Sequence, residues 1–249
     1  MTAVVIRGSE YQDFLRCRLR WYFAWQKRLV PKTLNDKLFI GDLIHKFMEH
    51  YYRANCDFNV GFQAMRELYQ NTDTSGMDDV ALNELWTLAE NMVKNYHAEY
   101  GENDRAFQVL ATELPFRIRI NDFVTYMGKI DWIGLDSDNL LCFWDHKTTK
   151  ALDKYEKNAA MDRQISRYWW ALNELCKGNG EIAVRPTDGG RELWVHVKDT
   201  DLWSFINGRQ VDYFIYNILL KDFPTPPREL KKGGLSKAKE DRKSTRLNS

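Results

Sequence analysis

The sequence predicts a mixed α/β (α+β) fold in which helices come first and a sheet follows. Up to about residue 100, apolar residues recur at three- and four-residue intervals, the spacing of one face of a helix. Short runs rich in β-branched and aromatic residues come next, and the helical spacing then returns. This order predicts a central mixed sheet flanked by helices, with an N-terminal helical insertion.

The helical part is expected over about residues 9–100. It begins with a basic amphipathic helix over residues 9–28, in which arginines separate the apolar positions. A second apolar stripe runs over residues 41–52, and two more follow near residues 62–69 and 85–96. Each stripe predicts a helix that packs one face against the core.

The sheet core is expected over about residues 105–222. Residues 107–120, 123–134 and 140–148 are β-rich runs separated by short polar stretches, and they predict three antiparallel strands in a meander. The remaining expected elements are a helix over 159–176, strands over 192–197 and 211–220, and a helix near 201–207.

Length and composition favour one folded domain. A chain of 249 residues is near the size at which a single core stops growing, and its hydrophobic fraction of 44% is enough to build that core. We expect this domain to span residues 1–230. A flexible Lys/Gly/Ser-rich tail is expected over 231–249, and its last residues, 242–249, resemble a translated sequencing adapter.

The overall charge identifies no partner. With 36 basic and 35 acidic residues, any attraction to a polyanion must come from local clusters of charge. No apolar run approaches the ~20 residues of a membrane-spanning helix, and the N-terminus lacks the pattern of a signal peptide. We therefore expect a cytoplasmic protein with no membrane association.

Two acidic residues on successive predicted strands are the main candidates for chemistry. Asp131 ends the stretch G-K-I-D, and Asp145 is followed two residues later by Lys147 on the same strand face. Phosphodiester hydrolysis needs a divalent metal on oxygen ligands, an activated water and nearby positive charge. The two carboxylates and the backbone carbonyl of His146 can supply the oxygens, and Lys147 can orient the water. For an isolated D-x-K, a structural Asp–Lys pair is the alternative.

Four short motifs occur in the order found in RecB-like nucleases of the PD-(D/E)XK superfamily. They are G-x-x-x-H at 41–45, G-x-x-D at 128–131, D-x-K at 145–147 and Q-x-x-x-Y at 164–168. With the stretch C-x-x-x-W-Y-F at 17–23, the chain resembles this superfamily over about residues 9–230, and it is similar to phage-type and CRISPR-adaptation exonucleases. The resemblance implies a restriction-endonuclease-like core.

The resemblance also implies roles for individual residues. It implies that the side chains of His45, Asp131 and Asp145 bind Mg²⁺ or Mn²⁺, and that Lys147 is catalytic. Gln164 and Tyr168 lie four residues apart on one helix face, so we expect them to contact substrate phosphate or to hold the Lys147 region in place.

Glu113 has three open interpretations, because Pro115 disturbs the alternation of its strand. It hydrogen-bonds a group behind the metal ligands, it assists a second metal, or it is a solvated side chain on an edge strand. The residues themselves do not decide between them.

Basic residues follow the second acidic strand and form a candidate DNA-binding strip. Its members are Lys150, Lys154, Lys157, Arg163 and Arg167. Asp153, Glu156 and Asp162 dilute its charge, and a solvated charged face is the alternative.

The cysteines argue against a metal cluster. Some RecB-like nucleases hold an iron–sulfur cluster with one N-terminal cysteine and three beyond the core. Cys17 matches the first position, but no cysteine follows Cys176. We therefore expect this chain to lack such a cluster. The alternative is that the remaining cysteines were lost with a truncated C-terminus.

Taken together, the sequence predicts a metal-dependent DNA exonuclease of phage or bacterial recombination or repair. Its expected partners are DNA and recombination or single-strand-binding proteins, and its oligomeric state is left open. A catalytically silent DNA-end-binding module of a recombination or adaptation complex is the alternative. A structural protein with surface ion pairs is the third hypothesis.

Overall fold

The computed structural model describes residues 4–30, 35–152, 162–185, 191–221 and 245–248. The elements are, in chain order, β1 (Val4–Arg7), α1 (Gly8–Arg16), α2 (Arg18–Trp21), a π-helical turn (Tyr22–Gln26), α3 (Asp36–Arg53), α4 (Phe58–Asn71), α5 (Asp79–Asp104), β2 (Gln108–Asn121), β3 (Val124–Leu135), β4 (Leu141–Thr149), α6 (Arg163–Cys176), β5 (Glu181–Val184), β6 (Leu193–His196), a 3₁₀ turn (Val197–Asp199), α7 (Asp201–Ile206), β7 (Tyr213–Leu220) and β8 (Thr245–Asn248).

The chain divides into two compact units. Unit 1 comprises Met1–Thr33, Phe107–Asp145 and Met161–Phe214. Unit 2 comprises Leu34–Ala106, His146–Ala160 and Ile215–Ser249. The boundaries fall within β4 and β7, so each of these strands contributes residues to both units.

The sheet of unit 1 has the strand order β6-β5-β2-β3-β4-β7, with β1 alongside β3. As predicted, β2, β3 and β4 form an antiparallel meander. The strand β1 runs parallel to β3, with Arg7 opposite Met127. The sheet is therefore mixed, which confirms the predicted fold class.

Helix α6 packs on this sheet. The side chain of Asp162 caps its N-terminus by accepting a hydrogen bond from the backbone N–H of Gln164 (2.6 Å). Trp169 of α6 meets Phe143 of β4 edge to face, with ring centroids 6.2 Å apart. Its buried positions recur at helical spacing: Ile165, Ala171, Leu172, Leu175 and Cys176. The helix was predicted from residue 159, and residues 159–161 lie outside the described part of the chain.

Unit 2 contains α3, α4 and α5, together with the later residues of β4 and β7 and the strand β8. The apolar stripe predicted over residues 41–52 is the buried face of α3: Leu43, Ile44, Phe47, Met48, Tyr51 and Tyr52. Phe47 packs against Phe58 of α4 (centroids 5.6 Å apart). Asp57 and Asp78 cap the next two helices by accepting backbone N–H groups.

Residues 245–248 lie in the stretch for which the sequence predicts a flexible tail, and they form β8. This strand pairs antiparallel with β7, with Leu247 opposite Tyr216. The unpaired N–H and C=O groups of an edge strand provide the partners that such a segment needs. The rest of the predicted tail, 231–244 and 249, lies outside the described residues.

The single helix predicted over residues 9–28 is wrong, because the chain breaks between α1 and α2. Cys17 has an extended backbone (φ −162°, ψ 108°), which no helix accommodates. After this break, the indole N–H groups of Trp21 and Trp25 donate hydrogen bonds back to Glu10 and Asp13 of α1 (3.3 and 3.1 Å). Side-chain contacts that periodicity does not reveal therefore determine this turn.

Within the described ranges, no helix combines the length and the apolar character needed to cross a membrane.

Candidate active site

Two acidic side chains face each other across β2 and β3 in unit 1. The register pairs on either side place Glu113 opposite Asp131. A carboxylate oxygen of Glu113 lies within 4.8 Å of one of Asp131. The Glu113 side chain is only 10% exposed and forms an ion pair with Lys129. Because its side chain is this little exposed, Glu113 is not a solvated side chain.

A third carboxylate continues this row onto β4. Trp132 of β3 pairs with Trp144 of β4, and the next residues along the two strands are Asp131 and Asp145. Asp131 is 7% exposed, and Asp145 is completely buried. Buried carboxylates on neighbouring strands repel each other, and a cation bound between them offsets that repulsion.

The amide of Gln164 connects this row to α6. Its Nε2 donates to Oδ1 of Asp145 (3.0 Å) and to the hydroxyl oxygen of Tyr168 (3.1 Å). The two side chains of the Q-x-x-x-Y motif therefore contact each other, as their four-residue spacing predicts. Gln164 fixes the orientation of the Asp145 carboxylate.

Tyr168 remains protonated in this position. Burial, and then the negative charges of Asp131 and Asp145, raise the pKa of its phenol well above the ordinary value. Its hydroxyl therefore keeps a proton that it can donate at neutral pH. Its ring meets that of Phe116 edge to face, with centroids 6.2 Å apart.

The glycine of the G-x-x-D motif has a steric role. A Cβ built on Gly128 would lie 2.5 Å from Cζ of Phe116, whose ring is completely buried. In contrast, a Cβ on Gly41, the glycine of the G-x-x-x-H motif, would have Thr148 Oγ1 as its nearest neighbour at 3.8 Å, an ordinary contact. Of these two motif glycines, Gly128 is the one that packing requires.

We expect Gly128→Ala to destabilise the protein by about 1–3 kcal/mol, because the buried ring of Phe116 has little room to yield. The matched control is Gly41→Ala, which should leave the Tm unchanged or raise it, since alanine is favoured over glycine inside a helix. Thermal unfolding by circular dichroism measures both variants. Equal Tm values for Gly128→Ala and the unsubstituted protein would contradict this steric role.

The other predicted site residues lie in unit 2. His45 is a half-buried residue of α3, and its ring centroid lies 6.0 Å from that of His146. His146 and Lys147 belong to the later part of β4; His146 is buried and Lys147 half-buried. The structure thus places His146 and Lys147 on the strand that carries Asp145, while the roles predicted for them and for His45 remain predictions.

The imidazole of His146 is held by a buried polar network that sequence reasoning missed. Nδ2 of Asn217 donates to Nδ1 of His146 and to the hydroxyl of Tyr96 (both 2.9 Å). Tyr52 stacks on the His146 ring and donates to the Asp104 carboxylate (3.0 Å). Because buried polar groups need such partners, the network fixes the His146 side chain.

The predicted basic strip is described only in part. Lys150 and Arg163 are exposed, whereas Lys154 and Lys157 lie outside the described residues. Arg167 is half-buried and hydrogen-bonds to Tyr126. Arg167 therefore has a structural contact in addition to its positive charge.

The four cysteines are separate free thiols. Cys17 is exposed at the break between α1 and α2, and the others are buried. Burial raises the pKa of Cys142 to about 11 and that of Cys176 to about 12, so both remain protonated at neutral pH.

Lys129, which forms an ion pair with Glu113 beside the row of carboxylates, was not among the residues predicted from sequence. It lies within the G-K-I-D stretch, two residues before Asp131, and alternation places the two side chains on one face of β3. This two-residue spacing is the sequence signal from which Lys129 could have been predicted.

The chain matches the PD-(D/E)XK nuclease superfamily over residues 8–242. This stretch includes all four motifs and all three carboxylates described above. No curated protein matches the chain. Nucleases of this superfamily use divalent metals and act on DNA, which agrees with a row of buried oxygen ligands. The chain therefore belongs to the PD-(D/E)XK nuclease superfamily.

Proposed function

We propose that this chain is a metal-dependent DNA exonuclease that hydrolyses phosphodiester bonds from a DNA end. The observation that carries the proposal is the row of Glu113, Asp131 and Asp145 on three neighbouring strands, with Gln164 fixing the last of them. Such a row concentrates hard oxygen ligands at one place, which the chemistry of divalent cations requires.

Mg²⁺ or Mn²⁺ is the proposed cofactor, held by Asp131 and Asp145 with Glu113 beside them. His45 and the backbone carbonyl of His146 are proposed as further ligands because the G-x-x-x-H and D-x-K motifs resemble those of RecB-like nucleases. When bound, such a metal supplies a water of lowered pKa and neutralises charge on the phosphate.

Other residues of the chain are proposed to orient the reactants. Lys147 orients the attacking water and stabilises the negative charge that develops on the phosphate. Gln164 holds the Asp145 carboxylate, and the protonated hydroxyl of Tyr168 is a hydrogen-bond donor to a substrate phosphate. Because Gln164 already contacts both Asp145 and Tyr168, these side chains need little reorganisation when substrate binds.

The basic residues that follow β4 are proposed to attract the DNA backbone. Lys150, Arg163 and Arg167 belong to the described part of this strip, and Lys154 and Lys157 are proposed on sequence alone. Their contacts with phosphate carry no base sequence information, so we expect degradation without sequence preference.

The proposed biological setting is recombination or repair in a phage or bacterium, in the cytoplasm. The similarity of the four motifs to RecB-like and phage-type exonucleases supports it. Recombination proteins and single-strand-binding proteins are the proposed partners, and residues 1–230 are proposed to act as a single nuclease domain.

The proposed activity is tested on two DNAs of the same sequence, one linear and end-labelled and one covalently closed. With Mg²⁺ or Mn²⁺ we expect the linear DNA to be degraded and the closed DNA to remain intact, and EDTA should stop the reaction. Cleavage of closed DNA would indicate an endonuclease. Binding to DNA ends without degradation in either metal would instead support the silent DNA-end-binding module.

A further inference from the structure

A groove of about 400 Å³ opens in unit 1 at the end of β1 and the beginning of α1. Residues from β1, α1, β2, β3, α6 and β6 line it. Those that bear on its chemistry are Arg7, Gly8, Lys129, Gln164, Arg167 and Trp194. Its volume is in the range of sites that bind small molecules, a class that includes a nucleotide.

The groove adjoins the row of carboxylates. Gln164 borders it and donates a hydrogen bond to Asp145 (3.0 Å). Lys129 also borders it and forms an ion pair with Glu113. A strand lying in this groove would therefore have its phosphates next to the proposed catalytic groups.

The positive charge of the groove favours binding of a polyanion. Three of the lining residues, Arg7, Lys129 and Arg167, are basic, and among the residues that the structure describes no acidic one lines the groove. Arg7 lies opposite Met127 in the pairing of β1 with β3, so the short strand β1 brings it near Lys129. The Arg7 side chain is 45% exposed and its guanidinium lies 3.7 Å from Glu10, a distance at which an ion pair near the surface contributes little.

An aromatic platform forms another wall of the groove. The guanidinium of Arg117 lies over the ring of Trp194, 4.7 Å from the centroid. Arg117 is itself fixed by two hydrogen bonds to the Glu181 carboxylate (2.5 and 2.7 Å). The indole thus packs against a guanidinium that is held by a bidentate ion pair, and such a supported ring is a suitable surface for a base.

We propose that this groove binds the unpaired nucleotides of a single DNA strand, with a base stacked on Trp194 and phosphates contacted by Arg7, Lys129 and Arg167. The inference rests on the proposed function and narrows its substrate: stacking on Trp194 needs a base that is not paired. Single strands and duplexes with single-stranded ends are then bound in preference to blunt duplexes.

The test measures binding without cleavage. Fluorescence anisotropy of a labelled oligo-dT of twelve nucleotides is recorded in EDTA, so the result does not depend on catalysis. We expect Trp194→Ala to weaken binding about tenfold, and Trp194→Phe to restore most of the affinity because phenylalanine also stacks. Arg7→Gln should lower the slope of log K against log salt concentration by about one.

The matched control is Trp203 in a second groove of unit 1. Like Trp194, Trp203 is half-buried and has a cation over its ring, the ammonium of Lys198 at 6.0 Å. That groove shares no lining residue with the carboxylate row. We expect Trp203→Ala to bind the oligonucleotide with unchanged affinity.

Three results would overturn the proposal: unchanged binding by Trp194→Ala, an equal loss in Trp203→Ala, or tight binding of a blunt duplex that also depends on Trp194. Because binding is measured without cleavage, failure of this proposal can be distinguished from failure of the proposed exonuclease activity. If the protein degrades DNA but binds oligo-dT independently of Trp194, the exonuclease proposal stands and the groove proposal is wrong. If it binds oligo-dT through Trp194 but degrades no DNA, the groove proposal stands and the exonuclease proposal is wrong.

Discussion

Asp145→Asn is expected to lower the rate of DNA degradation about a thousandfold. A metal ligand and its cation stabilise a phosphodiester transition state by several kcal/mol, and each 1.4 kcal/mol changes the rate tenfold. Asparagine has the same shape and retains a carbonyl oxygen that can accept the hydrogen bond from Gln164. The loss should therefore report the charge of the carboxylate rather than a collapsed fold. Release of label from end-labelled linear DNA measures it.

Asp136→Asn is the matched control. Asp136 also belongs to the β3–β4 hairpin, where it accepts hydrogen bonds from the backbone N–H of Leu140 (2.9 Å) and the hydroxyl of Tyr213 (2.7 Å). These contacts stabilise the turn, so we expect a lower Tm and nearly unchanged activity. Full activity in Asp145→Asn would show that the Asp145 carboxylate is not part of the active site.

Lys147→Ala is expected to reduce the degradation rate about a hundredfold or more while metal affinity is retained. The ammonium is proposed to act on the water and on the developing charge, a contribution of the size lost when one transition-state donor is removed. The comparison therefore has two readouts: the rate at saturating Mn²⁺, and the Mn²⁺ concentration that gives half of the maximal rate. In Asp145→Asn both should change, and in Lys147→Ala only the rate.

The control for Lys147 is Lys150→Ala, which removes the same charge three residues later at an exposed position. If Lys150 only attracts DNA, the variant should show a higher KM at raised salt and a normal maximal rate. An equal fall in maximal rate for both variants would assign the effect to general charge rather than to Lys147.

The meander β2–β3–β4 and the helices α3 and α6 could be predicted from sequence because their signals are local. The apolar stripe of α3 and the β-rich runs each lie within one element, where a period of 3.6 or 2 indicates the buried face. The four-residue spacing of Q-x-x-x-Y likewise predicted that Gln164 contacts Tyr168. The hydrogen bond from Gln164 to Asp145 joins α6 to β4, and it became visible only in the structure.

Features that depend on contacts between distant segments could not be predicted in this way. Cys17 occupies an ordinary helical position by periodicity, and only the hydrogen bonds of Trp21 and Trp25 show why the helix ends there. Similarly, Arg117 and Trp194 are far apart in sequence. No periodic pattern indicates that a guanidinium supports that ring.

Glu113 is an intermediate case. Its strand assignment was correct, but Pro115 obscured which way its side chain points. The backbone gives the physical reason: Glu113 has φ 49°, a left-handed conformation inside a strand, so simple alternation does not apply at this residue. The pairing of Glu113 with Asp131 therefore became visible only in the structure.

The left-handed backbone at Glu113 lowers the stability of the fold, while its carboxylate contributes to the proposed site. A left-handed residue with a Cβ costs about 1–3 kcal/mol, and glycine adopts this conformation without that cost. A library randomised at position 113 and selected only for heat resistance would be expected to accumulate glycine there. The glycine variants would lose the carboxylate beside Asp131. The variant with the highest thermal stability would therefore lack one of the three acidic side chains of the proposed site.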